Sequence, residues 1–171
     1  ELGGKDPAIV LEDADLDVAS SGVLIGGFYN NGQTCASVER LLVHKSIEQR
    51  FVAMLSEKAK KLRVGPSTGF ENDIGPITYS PQKQVIKSQL DNHAGGSSSL
   101  YDGKSAFLPP IIIKASDKET VWCDETFGPV VAYDTFENDD EAIKKANDNT
   151  FGLGAVVWGQ TDHARKIARK I

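Results

Sequence analysis

Cys35 follows a polar, glycine-containing turn, Asn30-Asn31-Gly32-Gln33, and so presents a thiol where one element ends and the next begins. A buried cysteine behaves as a small apolar side chain, but this run makes a poor core segment and a good turn, which favours an accessible sulfur. An accessible thiol is suited to covalent attack on an electrophilic carbon. With a reference pKa of about 8.5, only a few per cent of it is thiolate at neutral pH, so it needs a base or a positive dipole nearby. Two other segments set a carboxylate close to glycine: Glu1-Leu2-Gly3-Gly4-Lys5, and Asp124-Glu125-Thr126-Phe127-Gly128-Pro129-Val130.

The elements that must position these groups follow from periodicity. Ala8 to Leu11 is predicted as a first strand, followed by a helix capped by Asp13 or Asp15 that runs through Val18, Ile25 and Phe28 toward the turn before Cys35. Leu41 to His44 is a second strand. Ser46 and Gln49 form a capping box for a helix with the apolar stripe Ile47, Phe51, Met54, Leu55 and Leu62, which Gly65-Pro66 stops. Pro81 opens a helix through Val85, Ile86 and Leu90 that ends near Ala94-Gly95-Gly96. The Ser- and Gly-rich stretch from Gly95 to Ser105 reads as a surface loop around a short or absent edge strand. Val130 to Tyr133 is a strand. Asn138 and Glu141 then cap a helix carrying Ala142, Ile143 and Ala146; Ala155 to Trp158 is a strand, and Ala164, Ile167, Ala168 and Ile171 mark a last helix. Strands alternating with helices predict an α/β domain, a three-layer, open, largely parallel sheet with helices on both faces.

Composition narrows the function. The 171 residues are 40% hydrophobic, enough for a real core in one domain. The formal charge of -5 and scattered aromatics give no support for nucleic-acid binding. Apolar runs such as Pro109 to Ile113 fall far short of the roughly 20 residues that span a bilayer, so no membrane partner is expected. Two cysteines, Cys35 and Cys123, form no disulfide framework and fit a reducing, cytoplasmic setting. The chain starts at Glu1 without methionine, so an organellar targeting segment upstream stays compatible with it. No metal-ligand spacing occurs, nor a Walker loop, nor a Gly-x-Gly-x-x-Gly fingerprint. Cys123 reads as a packed small side chain, Trp122 and Trp158 as core or interface, Lys58 to Lys61 as a solvated helix face, and His44, His93 and His163 as surface residues.

Glu-Leu-Gly-Gly-Lys, then Gly-Gln-Thr-Cys, then Glu-Thr-Phe-Gly-Pro, in this order and spacing, resembles the aldehyde dehydrogenase superfamily; Glu141-Ala142-Ile143, Ala146-Asn147-Asp148 and Phe151-Gly152-Leu153-Gly154-Ala155 agree. The resemblance covers almost the whole chain. It implies oxidation of an aldehyde to a carboxylic acid, through a thiohemiacetal on Cys35, hydride transfer to NAD or NADP, and hydrolysis of a thioester. Cys35 is then the nucleophile, and its backbone N–H is one oxyanion donor, worth about 3 kcal/mol. Glu1 is the general base. Leu2 and Gly3 face the cofactor, with Gly3 and Gly4 admitting close backbone approach. Glu125 accepts the nicotinamide ribose hydroxyls and Phe127 packs beside them. Asn31 and Gln33 shape the turn. Without the resemblance, the glycines read as an ordinary turn, Glu125 as a solvated charge and Phe127 as core.

The same resemblance implies that residues 1–171 are a single thiol-bearing catalytic domain, truncated at both ends, without the N-terminal cofactor-binding domain or the C-terminal end. The expected partners are the aldehyde, the missing cofactor domain and, at full length, further copies in a homo-oligomer. Such a piece would bind NAD or NADP poorly and be little active alone. The Gly95 to Pro109 loop is shorter and more polar than the family pattern, and Pro109-Pro110 stands where Pro-Thr is usual. Two other readings remain: a cofactor-free cysteine esterase, and a non-catalytic domain that binds partners or oligomerises.

Overall fold

The computed structural model describes residues 2–66, 68 and 70–171. Its elements in chain order are β1 (Asp6–Val10), α1 (Leu16–Phe28), β2 (Val38–His44), α2 (Glu48–Ala59), α3 (Gln82–Asp91), β3 (Ile111–Lys114), α4 (Thr120–Cys123), β4 (Val130–Phe136), α5 (Asp139–Asn147), β5 (Val156–Trp158) and α6 (Thr161–Ala168). Among the described residues the strands form one sheet in the order β3-β4-β2-β1-β5, every pairing parallel.

Strand alternation divides the core in two. Ala8, Val10, Leu41, Val43 and Val131 face α1 and α2, where Val23, Phe28, Phe51 and Leu55 meet them. Ile9, Leu42, Val130 and Ala132 face the other way, toward Ile86 and Leu90 of α3, Trp122 of α4, Ala142 of α5 and Ile167 of α6. Helices thus cover both faces of a parallel sheet, as expected. Each aliphatic side chain so enclosed contributes about 1.5–3 kcal/mol.

Local signals account for most boundaries. Asp15, not Asp13, caps α1 by accepting from the Asp17 and Val18 N–H groups; Asp13 instead binds His163 and the Gln160 N–H. Asn138 caps α5 through the Glu141 N–H, and Glu141 reaches back to the Glu137 N–H. The Ser46/Gln49 capping box does not form. The His44 ring takes up both the Ser46 hydroxyl and its N–H, a tight turn covers Lys45–Ile47, and α2 starts at Glu48. The helix after Pro81 ends at Asp91, short of Ala94. Strands β1 and β2 begin earlier than their apolar runs, at Asp6 and Val38, so that Asp6, Glu39 and Arg40 are buried inside the sheet.

Candidate active site

Four loops meet at one edge of the sheet: residues 2–5 before β1, 33–37 before β2, 124–129 before β4 and 149–155 before β5. Because the strands are parallel, these are all amino ends. Open α/β sheets usually bind ligands at the carboxyl ends of their strands; here the groups that can do chemistry sit at the opposite edge.

The thiol turn is built from the carboxyl end of α1. Asn30 and Asn31 adopt φ of 51° and 60°, a left-handed conformation that asparagine tolerates, and reverse the chain into Gln33. The Asn30 side-chain amide donates to the Gln33 carbonyl at 3.1 Å, and the Gln33 amide donates to the Asn30 and Pro76 carbonyls at 3.1 and 3.0 Å. The Gln33 side-chain oxygen accepts from the Thr78 N–H and hydroxyl at 2.8 and 2.9 Å. Gln33 therefore bolts this turn to the 76–78 segment. The Ser37 N–H closes the next turn onto the Thr34 carbonyl at 3.0 Å, leaving Cys35 partly exposed in between. Asn31 is 1% exposed, and its side-chain amide has no hydrogen-bond partner among the described residues.

The glycine segment lies between Cys35 and Glu125. The Gly4 N–H donates to Glu125 Oε1 at 2.9 Å, while the position a Cβ of Gly4 would take lies 3.1 Å from the Cys35 carbonyl carbon and closer still to its oxygen. Gly3 has φ +74°, and a Cβ there would stand 2.9 Å from Glu125 Oε2 and 3.1 Å from the Phe151 ring. Neither position admits a side chain, so Cys35, the glycine pair, Glu125 and Phe151 share one tightly packed surface.

Beneath it runs a buried polar network that sequence reasoning missed. Lys5 Nζ pairs with Glu39 at 2.6 Å and donates to the Thr126 hydroxyl at 3.0 Å. Glu39 also accepts the Thr126 and Phe127 N–H groups at 2.7 and 2.8 Å. Burial pushes the Lys5 pKa down, against the pull of Glu39. The neighbouring Arg40 guanidinium donates to the carbonyls of Lys5, Lys145 and Ala146. Burial raises the Asp6 pKa, opposed by the Gly154 N–H at 3.0 Å. The one signal for this network was the charged pair Glu39-Arg40 inside an otherwise apolar run.

A cleft of about 290 Å³ opens beside this surface, lined by Lys5, Asp6, Arg40, Phe151 and Leu153 but not by Cys35. Of the other residues singled out, Glu1 lies outside the described residues. Leu2 is 96% exposed, and Phe127 is half-buried with φ +46°. Cys123 is partly buried and packs against the core, as expected; its thiol donates to the Asp117 carbonyl, and burial, then Asp124 and Asp117, push its pKa up. His93 is buried, contrary to its surface reading, because Glu119 meets its Nδ1 at 2.5 Å.

The family model for the aldehyde dehydrogenase family matches residues 1–171. Betaine aldehyde dehydrogenases of Brucella ovis and Brucella anthropi are each 36% identical over 169 residues, an alignment that takes in 92% of this chain and 35% of theirs. The chain thus spans about a third of the length of the curated relatives it matches. Among solved structures, lactaldehyde dehydrogenase from Escherichia coli is similar with a TM-score of 0.91 and 30% identity, over 99% of this chain and 38% of that one. The NADP-dependent glyceraldehyde-3-phosphate dehydrogenase of Bacillus halodurans, complexed with NADP, gives 0.90 and 32%, over 100% and 37%. With the parallel sheet and the clustered motifs, these matches show that the chain belongs to the aldehyde dehydrogenase family.

Proposed function

We propose that this chain is the thiol-bearing domain of an NAD(P)-dependent aldehyde dehydrogenase that converts an aldehyde to a carboxylic acid. The observation that carries the reading is the packing of the Cys35 turn, Gly3-Gly4 and Glu125 against one another at the amino ends of β1, β2 and β4.

Cys35 Sγ adds to the aldehyde carbonyl carbon, and the carbonyl oxygen takes up the charge facing the Cys35 N–H. Cys35 holds the substrate as a thiohemiacetal before oxidation and as a thioester after it. Glu1 takes a proton from water, and the resulting hydroxide cleaves the thioester, releasing acid and thiol. The dinucleotide, when bound, supplies the hydride acceptor. The residues fit such a group: the surface at Gly3 is bare where a Cβ would collide with Glu125, and the Glu125 carboxylate can accept from vicinal ribose hydroxyls. Leu2 and Phe127 add apolar surface beside it.

No dinucleotide fingerprint occurs in the 171 residues, so adenosine and pyrophosphate must dock elsewhere in the intact enzyme, and this chain alone should turn over little NAD. A cytoplasmic homo-oligomer is the proposed setting; no helix among the described residues is long and apolar enough to cross a membrane. The test is NAD(P)H formation by the intact protein with a panel of aldehydes. Cys35→Ala should abolish it and Cys123→Ala should not. Ester hydrolysis that depends on Cys35, without any aldehyde oxidation, would favour a cofactor-free esterase instead.

A further inference from the structure

We propose that Glu39 is a positioning residue for the cofactor site: its carboxylate holds the 124–127 loop so that Glu125 and Phe127 face the ribose. This rests on the role given above to Glu125. Glu39 is 1% exposed, and a carboxylate is retained in such a place only when its oxygens are fully engaged. They are. Oε2 receives both Lys5 Nζ and the Thr126 N–H, and Oε1 receives the next backbone N–H, that of Phe127.

Two adjacent N–H groups aimed at one anion require a bent backbone, and Phe127 supplies the bend at φ +46°, a conformation unfavourable for an aromatic residue. The carboxylate is thus what holds this bend. The carbonyl side of the loop is fixed as well. Gln82 donates to the Thr126 carbonyl at 2.6 Å, and Gln89 donates to the Glu125 carbonyl at 3.2 Å while accepting from the Thr126 hydroxyl at 2.8 Å. With both sides held, the Glu125 side chain is delivered to the Gly4 N–H. Lys5 follows Gly4 directly and Glu39 lies four residues past Cys35, so a single buried ion pair joins the glycine segment, the thiol strand and the cofactor loop. An aliphatic pair would fill the same space without placing the loop.

The experiment uses the intact protein and reads three quantities: the dissociation constant of NAD or NADP by calorimetry, the iodoacetamide alkylation rate of Cys35, and Tm. Three variants are compared with Glu125→Gln: Glu39→Gln, Thr126→Val, and the charge-free pair Lys5→Met with Glu39→Gln, which serves if a lone buried lysine prevents folding. The Glu39 variants should weaken dinucleotide binding about tenfold or more, as loss of charge-assisted hydrogen bonds predicts, with Cys35 alkylated at close to the parent rate. Thr126→Val should move in the same direction by less. Unchanged binding in a folded charge-free variant, while Glu125→Gln weakens it, overturns the proposal and spares the Glu125 reading. Unchanged binding in Glu125→Gln itself overturns both. Binding, alkylation rate and Tm falling in proportion would show a purely structural role and also overturn it.

Discussion

Gly4→Ala is a sharp probe of how tightly the site is assembled. Gly4 lies outside the left-handed region, so alanine carries no conformational penalty there, and any effect is steric. The added methyl would lie 3.1 Å from the Cys35 carbonyl carbon and well inside the roughly 3.3 Å at which carbon and oxygen meet. Either side must retreat by about 1 Å. Neither side is free to do so. Gly4 is tied to Glu125 at 2.9 Å and followed by the Lys5–Glu39 pair, while the thiol turn is bolted through Gln33 and closed by the Ser37 N–H. Overpacking of this kind costs about 1–3 kcal/mol, or roughly 2–12 °C in Tm for a domain of this size. A displacement of about 1 Å at a nucleophile lowers turnover by up to about a hundredfold. Calorimetry and Cys35 alkylation, with Gly152→Ala as the control because no atom lies within 4 Å of a Cβ there, read both effects. If Gly4→Ala matched Gly152→Ala in Tm and in thiol reactivity, the close packing of Gly4 on Cys35 would be wrong.

Two pH dependences follow from buried and half-buried pairs. Burial would raise the Glu119 pKa, but the Ser116 and Ala94 N–H groups and His93 hold it at about 2, so its stabilisation is present above about 4.5 and lost as pH falls through 2. Glu119→Gln should cost on the order of 3 kcal/mol at neutral pH and flatten the acid limb of a denaturation series; an unchanged acid limb would contradict this. His163 has its pKa raised by Asp139 and Asp13, both 2.9 Å away, so its contribution is complete below about 6.5 and lost as pH rises through the raised value. His163→Gln should therefore lower Tm more at pH 5.5 than at pH 8.5, by an effect on the order of 1 kcal/mol, and equal losses at both would refute it.

Apolar patterning located four of the five strands, because a strand buried on both faces cannot hide its hydrophobic run, but it passed over β3, a four-residue edge strand directly after Pro109-Pro110. It misplaced the starts of β1 and β2. Asp6, Glu39 and Arg40 look like loop residues, and what makes them tolerable inside a sheet lies far along the chain: the Gly154 N–H, the Thr126 and Phe127 N–H groups, and the carbonyls of Lys145 and Ala146. The same distance hid the partner of His93, Glu119, 26 residues away. Ser46 and Gln49 had the right spacing for a capping box, yet the adjacent His44 ring competed for Ser46. At the site, residue type and order marked Cys35, Gly3 and Glu125. The edge of the sheet where they gather, and the ion pair beneath them, depend on topology that no local pattern carries.

The most direct test of Cys35 as the nucleophile is to mix the intact protein with NAD(P) and an aldehyde it oxidises, quench in acid within one turnover, and map the peptides by mass spectrometry. An acyl group on the Cys35 peptide, absent from the Cys123 peptide and absent without dinucleotide, is the predicted result. Turnover with an unmodified Cys35, or with the acyl group on Cys123, would contradict the account.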